Sequence, residues 1–234
     1  TGIKTVNNKV VFSKGIGGDR ELWESDGTEA GTVVLKDINP GSLSSFPDRF
    51  YDYNNEVYFI AGDGTHGREL WKTNGTETGT IMVKDINPNT GGSTNESFNL
   101  QAGENFQGIV NGVLYFIANN GSDGFELWRT DGSSSGTFMV KDINAKNTAS
   151  QIDNIVFYNN NILFTAESPS GKHDLYISDG TSAGTEPFLT KYGVSTLTNP
   201  YVLGEGYNGE LFFTAFSPAY GYELFKLNGS VVSL

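Results

Sequence analysis

Glu21-Leu22-Trp23-Glu24-Ser25-Asp26-Gly27-Thr28 returns as Glu69-Leu70-Trp71-Lys72-Thr73-Asn74-Gly75-Thr76 and again as Glu126-Leu127-Trp128-Arg129-Thr130-Asp131-Gly132-Ser133. Two worn copies follow, Asp174-Leu175-Tyr176-Ile177-Ser178-Asp179-Gly180-Thr181 and Glu223-Leu224-Phe225-Lys226-Leu227-Asn228-Gly229-Ser230. From aromatic to aromatic, at 23, 71, 128, 176 and 225, the steps are 48, 57, 48 and 49 residues. A period of this length marks a supersecondary unit that cannot bury its own faces and must stack on its neighbours.

Ahead of each phrase stands a short apolar run: Val10-Val11-Phe12, Val57-Tyr58-Phe59, Leu114-Tyr115-Phe116, Ile162-Leu163-Phe164 and Leu211-Phe212-Phe213. Runs of β-branched and aromatic residues read as buried strands. Just before them lie Asn7-Asn8, Asn54-Asn55, Asn111-Gly112, Asn159-Asn160 and Asn208-Gly209. These pairs tolerate the positive φ angles of a two-residue type I′ turn. Each unit therefore opens with a hairpin of strands 1 and 2. The Glu-Leu-Trp phrase is strand 3, Ser-Asp-Gly-Thr a turn, and Thr32-Val33-Val34-Leu35-Lys36-Asp37-Ile38 is strand 4. Pairing Ser25 with Thr32 sets Trp23 opposite Val34 and Glu21 opposite Lys36. The same rule sets Glu69 opposite Lys84 and Glu126 opposite Lys141, and opposite charges across an antiparallel pair support a register. In the fourth copy Asp174 would face Leu189.

Four antiparallel strands repeated at this period describe propeller blades. The sequence predicts an all-β chain, a five-bladed β-propeller forming one domain over 1–234, with blades near 1–40, 41–88, 89–145, 146–195 and 196–234. It starts on strand 1 of the first blade and ends on strand 4 of the last, so closure rests on packing between those two blades. An open array and a fragment of a larger ring are the competing architectures. Helix is nearly absent, because no stretch holds a 3.6-residue apolar period.

With 15 basic and 27 acidic residues the net charge is −12, which repels phosphate backbones and anionic lipid. Nucleic-acid binding is disfavoured. There is no apolar run near 18 residues, so no membrane insertion is expected. Cysteine is absent, ruling out disulfides and thiol zinc sites. Thirty glycines, with many Asn and Thr, suit an extracellular or cell-surface protein, and an opening Thr1 in place of Met fits a removed leader.

The phrase Glu-Leu-Trp-x-x-Asp-Gly-Thr, followed by Gly-Thr and Lys-Asp-Ile, resembles the bacterial ELWxxDGT-repeat family, fully in the first three copies and loosely in the last two. The resemblance implies a secreted or surface location and carries no activity with it. The Ser-Asp-Gly-Thr turn is similar to the Asp-box of sialidase-type propellers, where the box is structural. The blade count is similar to that of tachylectin-type five-bladed lectins, an architectural likeness.

Trp23, Trp71 and Trp128, with Tyr176 and Phe225, could stack on sugar rings. Their fixed place beside a leucine favours packing between sheets. Asp26, Asn74, Asp131, Asp179 and Asn228 could ligate a cation, but short side chains in a turn more often bond nearby backbone N–H groups. What varies between copies is the better place to look: loops 14–20, 62–68, 119–125, 167–173 and 217–222, and the long connection 87–106. Function commonly sits on variable loops of a rigid scaffold. The candidate ligand-binding residues are Asp19, Arg20, Asp63, His66, Arg68, Asp123, Phe125, His173, Tyr220 and Tyr222, a mix of charged groups and aromatics suited to sugars.

No cofactor is expected. A Ca²⁺ ion in the Asp63-Gly64-Thr65 or Ser122-Asp123-Gly124 loop is the one metal considered, and neither loop matches an EF-hand. The motifs of serine, zinc and cysteine hydrolases and of phosphate loops are missing. Asp48, Glu104 and Asp153 precede innermost strands and could form a glycosidase pair at a channel mouth. Asp48 and Asp153, however, hold the same repeat position, which suggests scaffold. The expectation is a secreted, non-catalytic binding module whose partner is a glycan or a cell-surface protein. The alternatives are a structural propeller in a larger surface assembly and a glycan-active enzyme.

Overall fold

The computed structural model describes residues 2–16, 19–41, 43–88, 106–145, 150–194, 196–205, 209–228 and 231–233. They form five four-stranded antiparallel sheets. The first holds β1 (Ile3–Val6), β2 (Lys9–Ile16), β3 (Asp19–Ser25) and β4 (Val33–Lys36), in chain order. The second holds β5 (Asp48–Tyr53), β6 (Glu56–Gly62), β7 (Arg68–Thr73) and β8 (Ile81–Lys84). The third holds β9 (Phe106–Val110), β10 (Val113–Asn119), β11 (Phe125–Thr130) and β12 (Phe138–Lys141). The fourth holds β13 (Asp153–Tyr158), β14 (Asn161–Glu167), β15 (His173–Ser178) and β16 (Glu186–Pro187). The fifth holds β17 (Thr198–Glu205), β18 (Leu211–Ser217), β19 (Gly221–Asn228) and β20 (Val231–Ser233). Two compact units emerge, Thr1–Phe106 with Phe116–Ser122 and Thr130–Thr137, and Gln107–Tyr115 with Asp123–Arg129 and Phe138–Leu234.

The opening hairpins turn as their sequence demands. Asn7 and Asn8 have φ of 49° and 62°, Asn54 and Asn55 50° and 58°, and Asn159 and Asn160 45° and 59°. In the first sheet Val6 pairs with Lys9 across the turn.

The strand 3–4 turns are held by their own side chains. Asp26 Oδ1 accepts from the Thr28 N–H at 2.9 Å and from its hydroxyl at 2.7 Å. The Thr28 hydroxyl oxygen accepts from the Gly31 N–H at 2.9 Å. Asn74, Asp131 and Asp179 repeat the first pair of bonds in their own copies. Gly31, Gly79, Gly136 and Gly184 are required here, because a Cβ at any of them would collide with the turn's Asp or Asn head group. The fifth copy departs: Asn228 is a strand residue paired with Val231, and its side-chain amide donates to Glu210 at 3.3 Å.

The register is half as expected. Trp23 pairs with Val34, Trp71 with Met82 and Trp128 with Met139. A β-bulge then brings Leu22, Leu70 and Leu127, not the preceding glutamates, opposite Lys36, Lys84 and Lys141. The glutamates and lysines are thus not cross-strand ion pairs. Glu21, Glu69 and Glu126 are buried. The lysines reach the next copy's turn, where Lys84 Nζ donates to Thr137 O at 2.6 Å and Lys141 Nζ to Thr185 O at 2.6 Å. A bulge interrupts the ladder locally and redirects the side chains beside it. In the fourth copy Asp174 does not face Leu189. It pairs with Ala166, and Leu189 lies in a short helix, α1 (Phe188–Lys191).

Trp23, Trp71, Trp128, Tyr176 and Phe225 are all buried, and Trp71 and Phe225 lie in layers between consecutive sheets. Trp71 joins Phe50, Val57, Phe59 and Ala61 of its own sheet to Val6, Val11, Leu22, Leu35 and Ile38 of the first copy. Phe213 and Phe225 likewise join Leu163, Leu175 and Ile177 of the fourth sheet. In both units the layer is the same: one sheet's leucines and valines meet the next sheet's aromatics.

Trp71→Ala is expected to destabilise by about 3–5 kcal/mol, since hydrogen-bonded sheets cannot collapse fully into the space an indole leaves. Chemical denaturation followed by fluorescence measures it. A variant as stable as wild type would show that this ring does not fill the joint.

Candidate functional site

Strand 3 of a copy begins beside the connection that leads to the next sheet, and a buried glutamate fastens the two. Glu21 Oε2 accepts from the Ile38 N–H at 2.8 Å and from the Ser45 hydroxyl at 2.6 Å, and Oε1 accepts from the Ser45 N–H at 2.8 Å. Ser45 N–H also donates to Arg20 O at 3.0 Å, while Ser45 O accepts from the Gly62 N–H at 2.9 Å in the following sheet. The third copy repeats the arrangement. Glu126 accepts from the Ile143 N–H at 3.3 Å and from the Ser150 hydroxyl. Ser150 N–H donates to Phe125 O at 3.3 Å, and Ser150 O accepts from the Glu167 N–H at 2.6 Å. The connections and the strand 2–3 loops therefore lie together on one side of each of these sheet pairs.

The residue after each serine is forced into the left-handed region. Phe46 has φ 49° and Gln151 has φ 46°, and three residues further on Arg49 and Asn154 have φ 54° and 51°. For a bulky side chain such as Phe this is a strained state, costing on the order of 1–3 kcal/mol. Phe46 and its neighbour Leu43 are nevertheless exposed. Gln151 is exposed too, and its amide donates to Glu167 Oε2 at 2.6 Å. One frame thus presents an apolar ring in one copy and a polar amide in another.

The candidate residues divide between the two units, five in each. In the first unit Asp19 is half-buried and pairs with Ile16, and the Arg20 side chain is exposed beside this connection. Asp63 folds its own loop. Its Oδ1 accepts from the Thr65 and His66 N–H groups at 2.9 Å each, and its Oδ2 lies 2.7 Å from His66 Nδ1. Burial alone would raise the Asp63 carboxyl, but bonds from His66 and Thr65 hold it below its usual range. The bond to Asp63 raises the His66 imidazole. That carboxylate is occupied by its own loop rather than open to a Ca²⁺ ion. Arg68 is buried and donates from Nη2 to Asp48 Oδ1 at 2.6 Å.

In the second unit Asp123 and Phe125 are half-buried, and His173 Nε2 lies 3.9 Å from Glu167 Oε2. Tyr220 and Tyr222 are exposed, and the Asn199 amide donates to the Tyr222 hydroxyl at 3.3 Å. Of the three carboxylates weighed for catalysis, Asp48 is engaged by Arg68 and Asp153 accepts from the Asn154 N–H at 2.7 Å. Glu104 lies outside the described residues. Among the described residues there is no group of three or more acid or histidine side chains placed to hold a metal. No helix among them is long and apolar enough to cross a membrane.

Sequence reasoning missed Phe46, Leu43 and Gln151. A signal for two of them was present: Ser45 and Ser150 stand 24 residues after Glu21 and Glu126 respectively. Ser93 keeps that spacing after Glu69 but lies outside the described residues.

No protein-family model matches the chain, and no curated relative does. Among solved structures the chain is similar to puromycin hydrolase as an S511A mutant, at 14% identity and TM-score 0.45, covering 96% of this chain and 34% of that one. It is similar to the β-propeller domain of the Trilobed protease from Pyrococcus furiosus, at 12% identity and TM-score 0.37, over 99% of this chain and 66% of that one. An α-L-arabinofuranosidase from Clostridium thermocellum gives 12% identity and TM-score 0.32, over 99% and 91% of the two chains. The chain spans about a third of the length of the puromycin hydrolase.

Burial pushes the Glu126 carboxyl up to about 7, against the lowering bonds from Ser150 and Ile143, with Asp142 adding to the rise. The folded chain keeps this proton up to near pH 7, whereas the unfolded chain releases it near 4.5. The stability so gained is complete below pH 4.5 and is lost as pH rises through 7, up to about 3 kcal/mol in all. Glu126→Gln should flatten the fall in unfolding free energy between pH 5 and 8 measured by urea titration. An unchanged slope would assign the fall to other groups.

Proposed function

We propose that the chain is a secreted, non-catalytic recognition module of the ELWxxDGT-repeat type, with its five sheets serving as the blades of a five-bladed β-propeller. Its ligand is a carbohydrate, displayed free or on a cell surface. The observation that carries this reading is the pair Phe46 and Gln151. Equivalent backbone frames, each pinned by a buried serine and glutamate, hold two chemically different exposed side chains in the same left-handed conformation. A scaffold residue would repeat; a residue that varies while its frame is kept behaves as a contact position.

The chemistry around each frame suits a sugar. Phe46 and Leu43 offer an apolar surface for the C–H face of a pyranose, with the exposed Arg20 on the adjoining strand for its hydroxyl or carboxylate groups. Around Gln151, the Glu167 and His173 side chains supply donors and acceptors. The acidic surface disfavours nucleic acid as a competing partner.

A glycan array followed by calorimetry against the hits is the direct test, with Phe46→Gly as the decisive variant. Glycine relieves about 1–3 kcal/mol of left-handed strain and adds about 0.5–1 kcal/mol of unfolded-chain entropy, so the variant should be at least as stable as wild type. It should lose binding by more than about tenfold if the ring is a contact. Binding that survives the substitution would remove Phe46 from the site. An array without hits would favour the structural reading, in which the chain works as an assembly part.

A further inference from the structure

One position of the repeat has a carboxylate partner in the second copy and lacks it in the first. The residue just before the acidic head of the phrase is Arg20, Arg68, Phe125, His173 and Tyr222 in the five copies, so it varies where the phrase is kept. Side chains alternate along a strand, which sets Arg20 on the same face of β3 as Leu22, the face packed against the second sheet. Arg68 holds the same place beside Leu70 in β7. There it is 9% exposed, and its Nη2 donates to Asp48 Oδ1 at 2.6 Å.

The first copy has no aspartate at the matching place. Asp48 stands eleven residues before Phe59, and the residue eleven before Phe12 is Thr1. The Arg20 side chain is exposed, and among the described residues no carboxylate pairs with it. Lys4, Lys9 and Lys72 of the same unit are each paired, with Asp52, Glu24 and Glu56. Opposite Arg20 stands Gly15, also exposed, so no cross-strand side chain covers the arginine stem. In a chain with 27 acidic and 15 basic residues, an arginine so placed is a local exception.

The Arg20 main chain is fixed on both sides. Its N–H donates to Ser44 Oγ at 2.8 Å, and its carbonyl accepts from the Ser45 and Phe46 N–H groups at 3.0 and 3.3 Å. These bonds tie the cation to the connection that presents Phe46 and Leu43, which are 48% and 66% exposed. A ligand with both a C–H face and a carboxylate matches that juxtaposition. An arginine fork takes a carboxylate through two parallel N–H bonds, which a neutral hydroxyl cannot reproduce. The net charge of −12 repels extended polyanions, so recognition falls to this local contact rather than to long-range attraction.

Building on a carbohydrate ligand at this frame, we propose that the ligand is an acidic sugar. A uronic acid unit places its carboxylate on Arg20, as Asp48 does on Arg68, and lays its ring on Phe46.

Calorimetry tests this with short oligomers of galacturonate, glucuronate and mannuronate, each beside the same oligomer with its carboxyl groups reduced to hydroxymethyl groups. At least one acidic oligomer is expected to bind about tenfold or more tightly than its reduced form. Arg20→Gln should abolish that preference and leave the affinity for the reduced oligomer unchanged. Gly15→Asp should do the same by supplying a carboxylate across from Arg20, and a Cβ there meets nothing closer than 3.4 Å. Both positions are exposed, so each variant should melt like wild type; if one fails to fold, the other decides. Equal binding of acidic and reduced oligomers overturns the proposal while keeping the carbohydrate reading. A preference that survives a folded variant overturns it too, placing the carboxylate elsewhere. Binding of none of the oligomers removes both the acidic sugar and the carbohydrate reading of this frame.

Discussion

The buried glutamate of the repeated phrase is the constraint on which the rest depends. A carboxylate placed where water cannot reach it must be fully bonded or protonated. Glu21 and Glu126 meet that demand with N–H groups and a serine hydroxyl from the chain that leaves for the next sheet. Glu69 accepts from the Ile86 and Asn87 N–H groups in the same way. The bulge before each tryptophan follows from this demand, since a regular ladder would point the glutamate across at a lysine. With the connection pinned, the following sheet enters at a fixed place, and Ser45 O and Ser150 O are set to receive its Gly62 and Glu167 N–H groups.

A second joint works from the opposite end of each sheet. The turn glycine of one copy closes on the opening hairpin of the copy before it. A Cβ at Gly132 would meet the Tyr58 hydroxyl, one at Gly180 the Tyr115 hydroxyl, and one at Gly75 the Val6 side chain. Lysines of strand 4 and Arg129 add bonds to carbonyls of the same turns, Arg129 Nη1 to Gly180 O at 3.2 Å. The Asp-Gly-Thr turn is therefore a tenon between copies as well as a cap for its own hairpin. That dual use explains why the phrase is kept so much more strictly than its surroundings.

The parts legible in the sequence were those fixed by local chemistry. Asn-Asn pairs announce their φ angles, short apolar runs announce strands, and a side chain that can bond its own turn does so. Trp23 opposite Val34 could be read because both lie beyond the bulge. Glu21 opposite Lys36 could not, because a surface charge pair and a buried staple leave the same letters in the sequence. Phe46 was hidden for a related reason: nothing in a phenylalanine signals a left-handed backbone imposed by a serine bonded to a glutamate 24 residues upstream. Tyr220 and Tyr222 were picked out for their place in a loop. The face they border became visible once strand register had set Phe216, Leu224 and Tyr201 beside them.

The worn fourth copy shows how tightly phrase and connection are coupled. Its glutamate is replaced by Asp174, one methylene shorter, which pairs with Ala166 and is only half-buried. The connection it would have pinned is also gone. Glu186-Pro187 ends strand 4 after two residues, and α1 takes over, carried by the fully buried Phe188 against Phe213 and Tyr192. A proline cannot donate to a continuing ladder, and a staple has no purpose where no extended connection follows. Loss of the glutamate and replacement of the connection are one change seen in two places. Where hydrogen bonds to a carboxylate fix the entry of the second sheet, an aromatic cluster around Phe188 fixes that of the fifth. The polar staple can thus be exchanged for apolar packing, as the cost of burying a carboxylate would lead one to expect.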